Sequence, residues 1–95
     1  MPGYERAPVS AELKVVLSDR AEKPPQGQIK AAKKAAGASG LAREAGPETV
    51  MLAGSREEVL QAMMKVVDAA LVAGAEAVEV KVEAEADADR FGEAD

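Results

Sequence analysis

Apolar and polar residues alternate from Val9 to Leu17: Val9, Ala11, Leu13, Val15 and Leu17 fall on one side of an extended chain, Ser10, Glu12 and Lys14 on the other. A period of two is that of a half-buried strand. Val16 breaks the alternation, which points to edge exposure or an interface position. The same period returns at Ala77 to Ala84, where Val78, Val80 and Val82 oppose Glu79, Lys81 and Glu83. Two shorter strands are predicted at Leu41 to Ala45 and Thr49 to Ala53. They flank Gly46-Pro47, and a hairpin is the economical arrangement.

Helical spacing separates these strands. Residues Gln26 to Ser39 carry a small apolar stripe of Ile29, Ala32, Ala35 and Ala36, with Lys30, Lys33 and Lys34 toward water. The lysines lean toward the C-terminal half, where positive charge suits the helix dipole, and Gly37 and Gly40 supply the stop signal. Ser55-Arg56-Glu57-Glu58 is a capping box: the serine oxygen accepts from the Glu58 N–H while the Glu58 carboxylate returns to the serine N–H. Behind it Val59, Ala62, Met63, Val66, Val67, Ala70 and Leu71 recur at helical spacing, and Gly74 closes the run. Met63 and Met64 read as helix core and its margin. Ser18 to Gln26, with Asp19, Arg20, Glu22, Lys23 and Pro24-Pro25, reads as a mobile surface loop.

The order β-α-β-β-α-β is the split βαβ pattern of an α+β, ferredoxin-like sandwich. It predicts a four-stranded antiparallel sheet with both helices on one face and the first and last strands adjacent. Glu12 and Lys14 then share the uncovered face with Glu79, Lys81 and Glu83, where each opposite-charge pair across strands contributes about 0.2 to 1 kcal/mol. Residues 1–8 read as a flexible leader, 9–85 as a single domain and 86–95 as an acidic, solubilising tail.

Composition narrows the function classes. The chain has 95 residues, a formal charge of -5, 47% hydrophobic residues and only 2% aromatic ones, so Val, Leu, Ile, Met and Ala must build the core. A domain this small leaves much of its surface in water, which favours self-association. Zero cysteines and zero histidines exclude disulfides, thiolate nucleophiles and the usual zinc ligands. The acidic balance and the lack of sheet aromatics argue against nucleic acid. No apolar run reaches the roughly 18 residues of a membrane span, so a cytoplasmic protein is expected. Of the enzyme chemistries available to this fold, acyl-phosphate hydrolysis needs a glycine-rich loop that Arg20 lacks, and Asp87, Asp89, Glu93 and Asp95 lie in a tail expected to be too flexible to fix the coordination geometry of a metal. No enzyme activity and no cofactor is expected.

With the elements in place, Gly40-Leu41-Ala42-Arg43-Glu44-Ala45-Gly46-Pro47-Glu48-Thr49-Val50-Met51-Leu52-Ala53-Gly54 resembles a segment of the small thiamine-binding-protein family. There a Gly-Leu opening leads through a Gly-Pro or Thr-Pro turn to a Met-Gly-Thr-Val-Ile-Glu-Gly strand. The capped helix, Ala73-Gly74-Ala75, the charged last strand and the Ala11-Glu12 opening also fit, so the resemblance spans residues 9 to 85. Polar positions depart from it: Glu48 and Thr49 stand at Met-Gly, Val50 at the threonine, Ala53 at the glutamate, and Val67 where a histidine is frequent. The resemblance implies non-catalytic binding of thiamine or its hydroxymethylpyrimidine moiety by a homo-oligomer, a dimer or tetramer.

Such a ligand would meet the open sheet face or a subunit junction, with Glu12, Lys14, Glu44, Thr49 and Lys81 as candidate contacts. Glu79 is a further carboxylate on that face. The aromatic residues, Tyr4 and Phe91, both fall in the tails. The alternative is a structural or interaction module without a ligand pocket, supported by Val16, Met51 and Ala53 on otherwise polar strand faces. On that reading the charged residues form a solvated or interfacial salt-bridge lattice.

Overall fold

A computed structural model of the chain describes residues 8–84, in the order β1 (Val9–Val16), α1 (Pro25–Ser39), β2 (Ala42–Arg43), β3 (Thr49–Gly54), α2 (Arg56–Val72) and β4 (Ala77–Ala84). The strands form one four-stranded sheet in the order β2-β3-β1-β4, each neighbouring pair antiparallel. β1 and β4 pair along their full length, from Val9 with Ala84 to Val16 with Ala77. The ferredoxin-like arrangement expected from the sequence is the one found.

The register explains the burial. Ala11 lies between Leu52 and Val82, and Leu13 between Val50 and Val80, so these residues share the helix-covered side. Leu13, Val15, Leu52, Val59 and Val66 are fully buried there, and Ala11, Ala32 and Ala70 bring the helices close to the sheet. Burying each such valine or leucine stabilises the fold by about 1.5 to 3 kcal/mol.

Both ends of α2 are set by local chemistry. Ser55 Oγ accepts from the Glu58 N–H at 3.2 Å, and the Ser55 N–H reaches Glu58 Oε1 at 3.4 Å. At the other end Gly74 has φ +106°, its N–H bonds Leu71 O at 3.0 Å, and the Ala75 N–H bonds Ala70 O at 3.0 Å. That pair of bonds is a Schellman cap, which needs a left-handed residue at the position of Gly74.

Several expectations are corrected. α1 starts at Pro25 instead of Gln26, because a proline at the first helical position sacrifices no hydrogen bond. Gly37 lies inside α1, and Gly40, with φ +78°, ends it alone. No lysine occupies the last turn of α1, so Lys30, Lys33 and Lys34 gain little from its dipole; Lys33 Nζ instead donates to Gly46 O at 3.0 Å. β2 is two residues long, against five expected, and Thr49 N–H bonds back to Gly46 O to tighten the connection. β1 is an interior strand, which removes edge exposure as the reason for Val16.

The segment after β1 is anchored from below. Gln28, fully buried, accepts from the Ser18 N–H at 2.9 Å and donates to Ser18 O at 2.7 Å and Lys23 O at 3.0 Å. Ala21 rests against Gly74 so closely that a Cβ on Gly74 would stand 2.4 Å from its own Cβ. A loop expected to be mobile is thus tied to α1 and to the end of α2.

The last correction concerns β4. Its valines face the helix side as expected, but only Val78 packs against the core; Val80 and Val82 remain 40% and 44% exposed. α2 packs mainly over β1 and β3 and reaches β4 only in part.

Candidate functional site

The uncovered sheet face is ordered by cross-strand register into rows. Thr49, Lys14 and Glu79 form one row; Arg43, Met51, Glu12 and Lys81 form the next; Ala53, Ser10 and Glu83 form a third. Directly opposed residues of antiparallel strands lie on the same face, about 5 Å apart at their Cβ atoms. Four of the five candidate contacts, Glu12, Lys14, Thr49 and Lys81, are therefore brought together. Glu44 is not: it follows β2 in the exposed connection to β3 and belongs to none of the rows.

The rows pair opposite charges, Lys14 with Glu79 and Glu12 with Lys81. A depression of about 230 Å³ lies between them, lined by Glu12, Lys14, Glu79 and Lys81 with Val80 at its edge. Glu12, Lys14, Glu79 and Lys81 are all exposed. Among the described residues the ion contact on this face is the exposed Lys81 Nζ to Glu83 Oε2, 3.5 Å apart along one strand. Water screens such pairs, so each stabilises the fold by less than about 1 kcal/mol. Glu12 and Glu79 each have an ammonium as cross-strand neighbour, which weakens but does not remove their pull on a cationic ligand. The face offers hydrogen-bonding groups in register but no wall to exclude water. Met51, Val16 and Ala53 are half-buried on this same face.

Two residues fill out this surface beyond the five. Glu79 completes the Thr49 row, and its alternation with Val78 and Val80 was the signal for it. Arg43 completes the Met51 row. Its guanidinium donates to Leu41 O at 3.3 Å and Ala42 O at 3.2 Å, along β2 itself. No periodicity in a two-residue strand announces that role.

A second feature was not foreseen at all. Leu60, Met64 and Leu71 of α2 are 39%, 68% and 48% exposed. With half-buried Val67 they recur at spacings of four, three and four, one stripe along the helix. At 100° per residue the centre of this stripe lies about 120° round the helix from that of Glu58, Gln61 and Lys65, which line the cleft against Ala35 and Ala38 of α1. It therefore faces away from α1, the direction in which the sheet order places β4. By this placement the exposed valines of β4 and the stripe of α2 lie on the same flank of the sandwich.

Among the described residues no group of three or more acidic side chains is arranged to hold a metal ion. The leader up to Ala7 with Tyr4, and the tail with Asp87, Asp89, Phe91, Glu93 and Asp95, lie outside the described residues. Among the described residues no helix is long and apolar enough to cross a membrane.

No family model matches the chain, and no curated protein matches it. Among solved structures it is similar to a domain of unknown function, DUF77, from Bacillus cereus, with a TM-score of 0.64 and 22% identity over 88% of this chain and 80% of that one. The likeness extends the ferredoxin-like architecture to a second sequence and carries the fold alone.

Proposed function

We propose that the chain is a non-catalytic binding module that works as a homo-oligomer. The observation that carries this reading is the apolar flank of α2 and β4: five large apolar side chains, Leu60, Met64, Leu71, Val80 and Val82, stand exposed together on one side of a small domain. Scattered exposed apolar residues are ordinary, but a contiguous group beside an open strand edge is the composition of an association surface. Sedimentation velocity over a range of concentrations tests it, with a species of at least twice the chain mass as the expected result. A monomer at every concentration would refute it.

A second reading concerns what the open face holds. The family resemblance points to thiamine or its hydroxymethylpyrimidine moiety, and the depression beside Glu12 and Glu79 is the place for a cationic ring. Because the face is open on its solvent side, such binding would be weak unless another subunit covers the ligand. In calorimetric titration with either compound, Glu12→Ala should abolish the heat, and Glu44→Ala, off the rows, should leave it unchanged. Absence of heat from the unaltered protein would remove the ligand and leave the oligomer. Thiamine binding, a distant kinship with that family and a cytoplasmic location all belong to this proposal.

A further inference from the structure

We propose that two copies of this chain join edge to edge through β4, antiparallel, about a two-fold axis at Val80, so that Val80 opposes its own copy and Glu79 opposes the partner's Lys81. The inference rests on the homo-oligomer reading and names its contact.

β4 is eight residues long and terminal in the sheet, so among the described residues its outer row of backbone N–H and C=O groups has no strand beside it. An open edge of that length is a template for another strand. The occupant is argued from the edge's own sequence. A two-fold pairing that keeps both helix layers on one side must place each residue opposite one of the same facing. Setting the axis at Lys81 puts Lys81 against Lys81 and Glu79 against Glu83, like charges throughout. Setting it at Glu79 again opposes two carboxylates. Setting it at Val82 sends Val80 against Ala84 and runs the pairing of Val78 and Glu79 past the end of β4 at Ala84. With the axis at Val80, Glu79 meets Lys81 twice, Val78 meets Val82 twice and Val80 meets itself. Opposite charges and β-branched pairs across strands are the favourable combinations. This register uses β4 from Ala77 to Glu83 and so stays within the described strand.

Two consequences follow from the same placement. On the helix side, the Leu60, Met64 and Leu71 stripe of each α2 turns toward its own copy above the joined strands. On the open side, the row Thr49, Lys14, Glu79 continues into the partner's Lys81 and the partner's Glu12, so charge alternates without a break across the junction. The depression beside Glu79 is then bordered by both subunits.

The chain contains no cysteine, which permits a direct test. Single variants Val80→Cys, Lys81→Cys and Val82→Cys are oxidised with glutathione disulfide, and covalent dimer is followed on non-reducing gels. Val80→Cys should crosslink roughly tenfold faster than the other two, because only at the axis do a residue and its copy come within disulfide reach. Circular dichroism melts confirm that each variant is folded. Fastest crosslinking at Lys81→Cys or Val82→Cys would overturn the register, as would equal slow rates at all three in a protein that sediments as a dimer; in those cases the homo-oligomer reading survives. A monomer at about 100 µM, a weak-binding limit, would overturn both.

Discussion

The two flanks of this sandwich handle the same problem in opposite ways. On the α1 flank the sheet ends in β2, two residues long, and Arg43 folds its guanidinium onto the carbonyls of Leu41 and Ala42. Short strands and long cations are means by which sheets keep an edge from recruiting another chain. α1 is further fastened by Gln28, whose buried amide meets three backbone groups. On the α2 flank the edge strand is eight residues long, its valines are uncovered and the helix above it exposes leucine and methionine. A chain that blunts one edge and leaves the other long and apolar has the asymmetry expected of one that pairs at a chosen place.

The sharpest way to break this contrast is Val80→Glu. Two carboxylates would meet at the proposed axis, and the dimer dissociation constant should rise about 100-fold or more. Because Val80 is 40% exposed, the monomer should lose only about 1 kcal/mol, within the common range for point changes. Sedimentation equilibrium and chemical denaturation measure the two quantities separately; a dimer unaffected by the change would remove β4 from the interface.

Gln28→Ala tests the opposite flank. It strands the Ser18 N–H, Ser18 O and Lys23 O beneath the loop, and unsatisfied buried groups cost about 1 to 3 kcal/mol each before water relieves them. A net loss of about 2 kcal/mol in urea unfolding is expected, with association unchanged once the folded fraction is allowed for. If this variant altered association as much as Val80→Glu, the two flanks would not be independent.

Met64→Glu probes the helix stripe alone. Met64 is 68% exposed, so folding should be unaffected while dimer affinity falls about tenfold through the lost apolar contact. Sedimentation again measures it, and no change would confine the interface to the strands.

The sequence disclosed these two flanks unevenly, for physical reasons. Alternation in β1, β3 and β4 announces itself because a period of two fixes which residues share a face, and the charge rows of the open face follow directly. The capping box and Gly74 mark the ends of α2 through local hydrogen bonding. Gln28 was hidden because a polar residue beside an apolar stripe resembles surface; only the fold of the chain brings Ser18 and Lys23 onto its amide. The exposure of Val80 and Val82 was hidden for a related reason. Periodicity tells which side of the sheet a residue faces, whereas coverage depends on where α2 crosses. Glu44 carries the right charge for the open face but not the right place: β2 stops at Arg43, and since Arg43 shares the open face with Met51, even a longer strand would turn Glu44 toward the helices.

Arg43→Ala and added salt produce the smallest effects, and they separate the charges of the two edges. Removing the Arg43 guanidinium frees carbonyls at the blunt edge, but a two-residue strand offers too little backbone for a partner, so stability should change by less than about 1 kcal/mol and the dimer should persist. Salt acts on the other edge. Both Glu79 and Lys81 are exposed, so raising the ionic strength from about 0.05 to 0.5 M should weaken the dimer only two- to threefold, roughly, because apolar contacts do not respond to screening. A loss of about 100-fold instead would mean that the charge rows hold the copies together and that the valines only set their spacing.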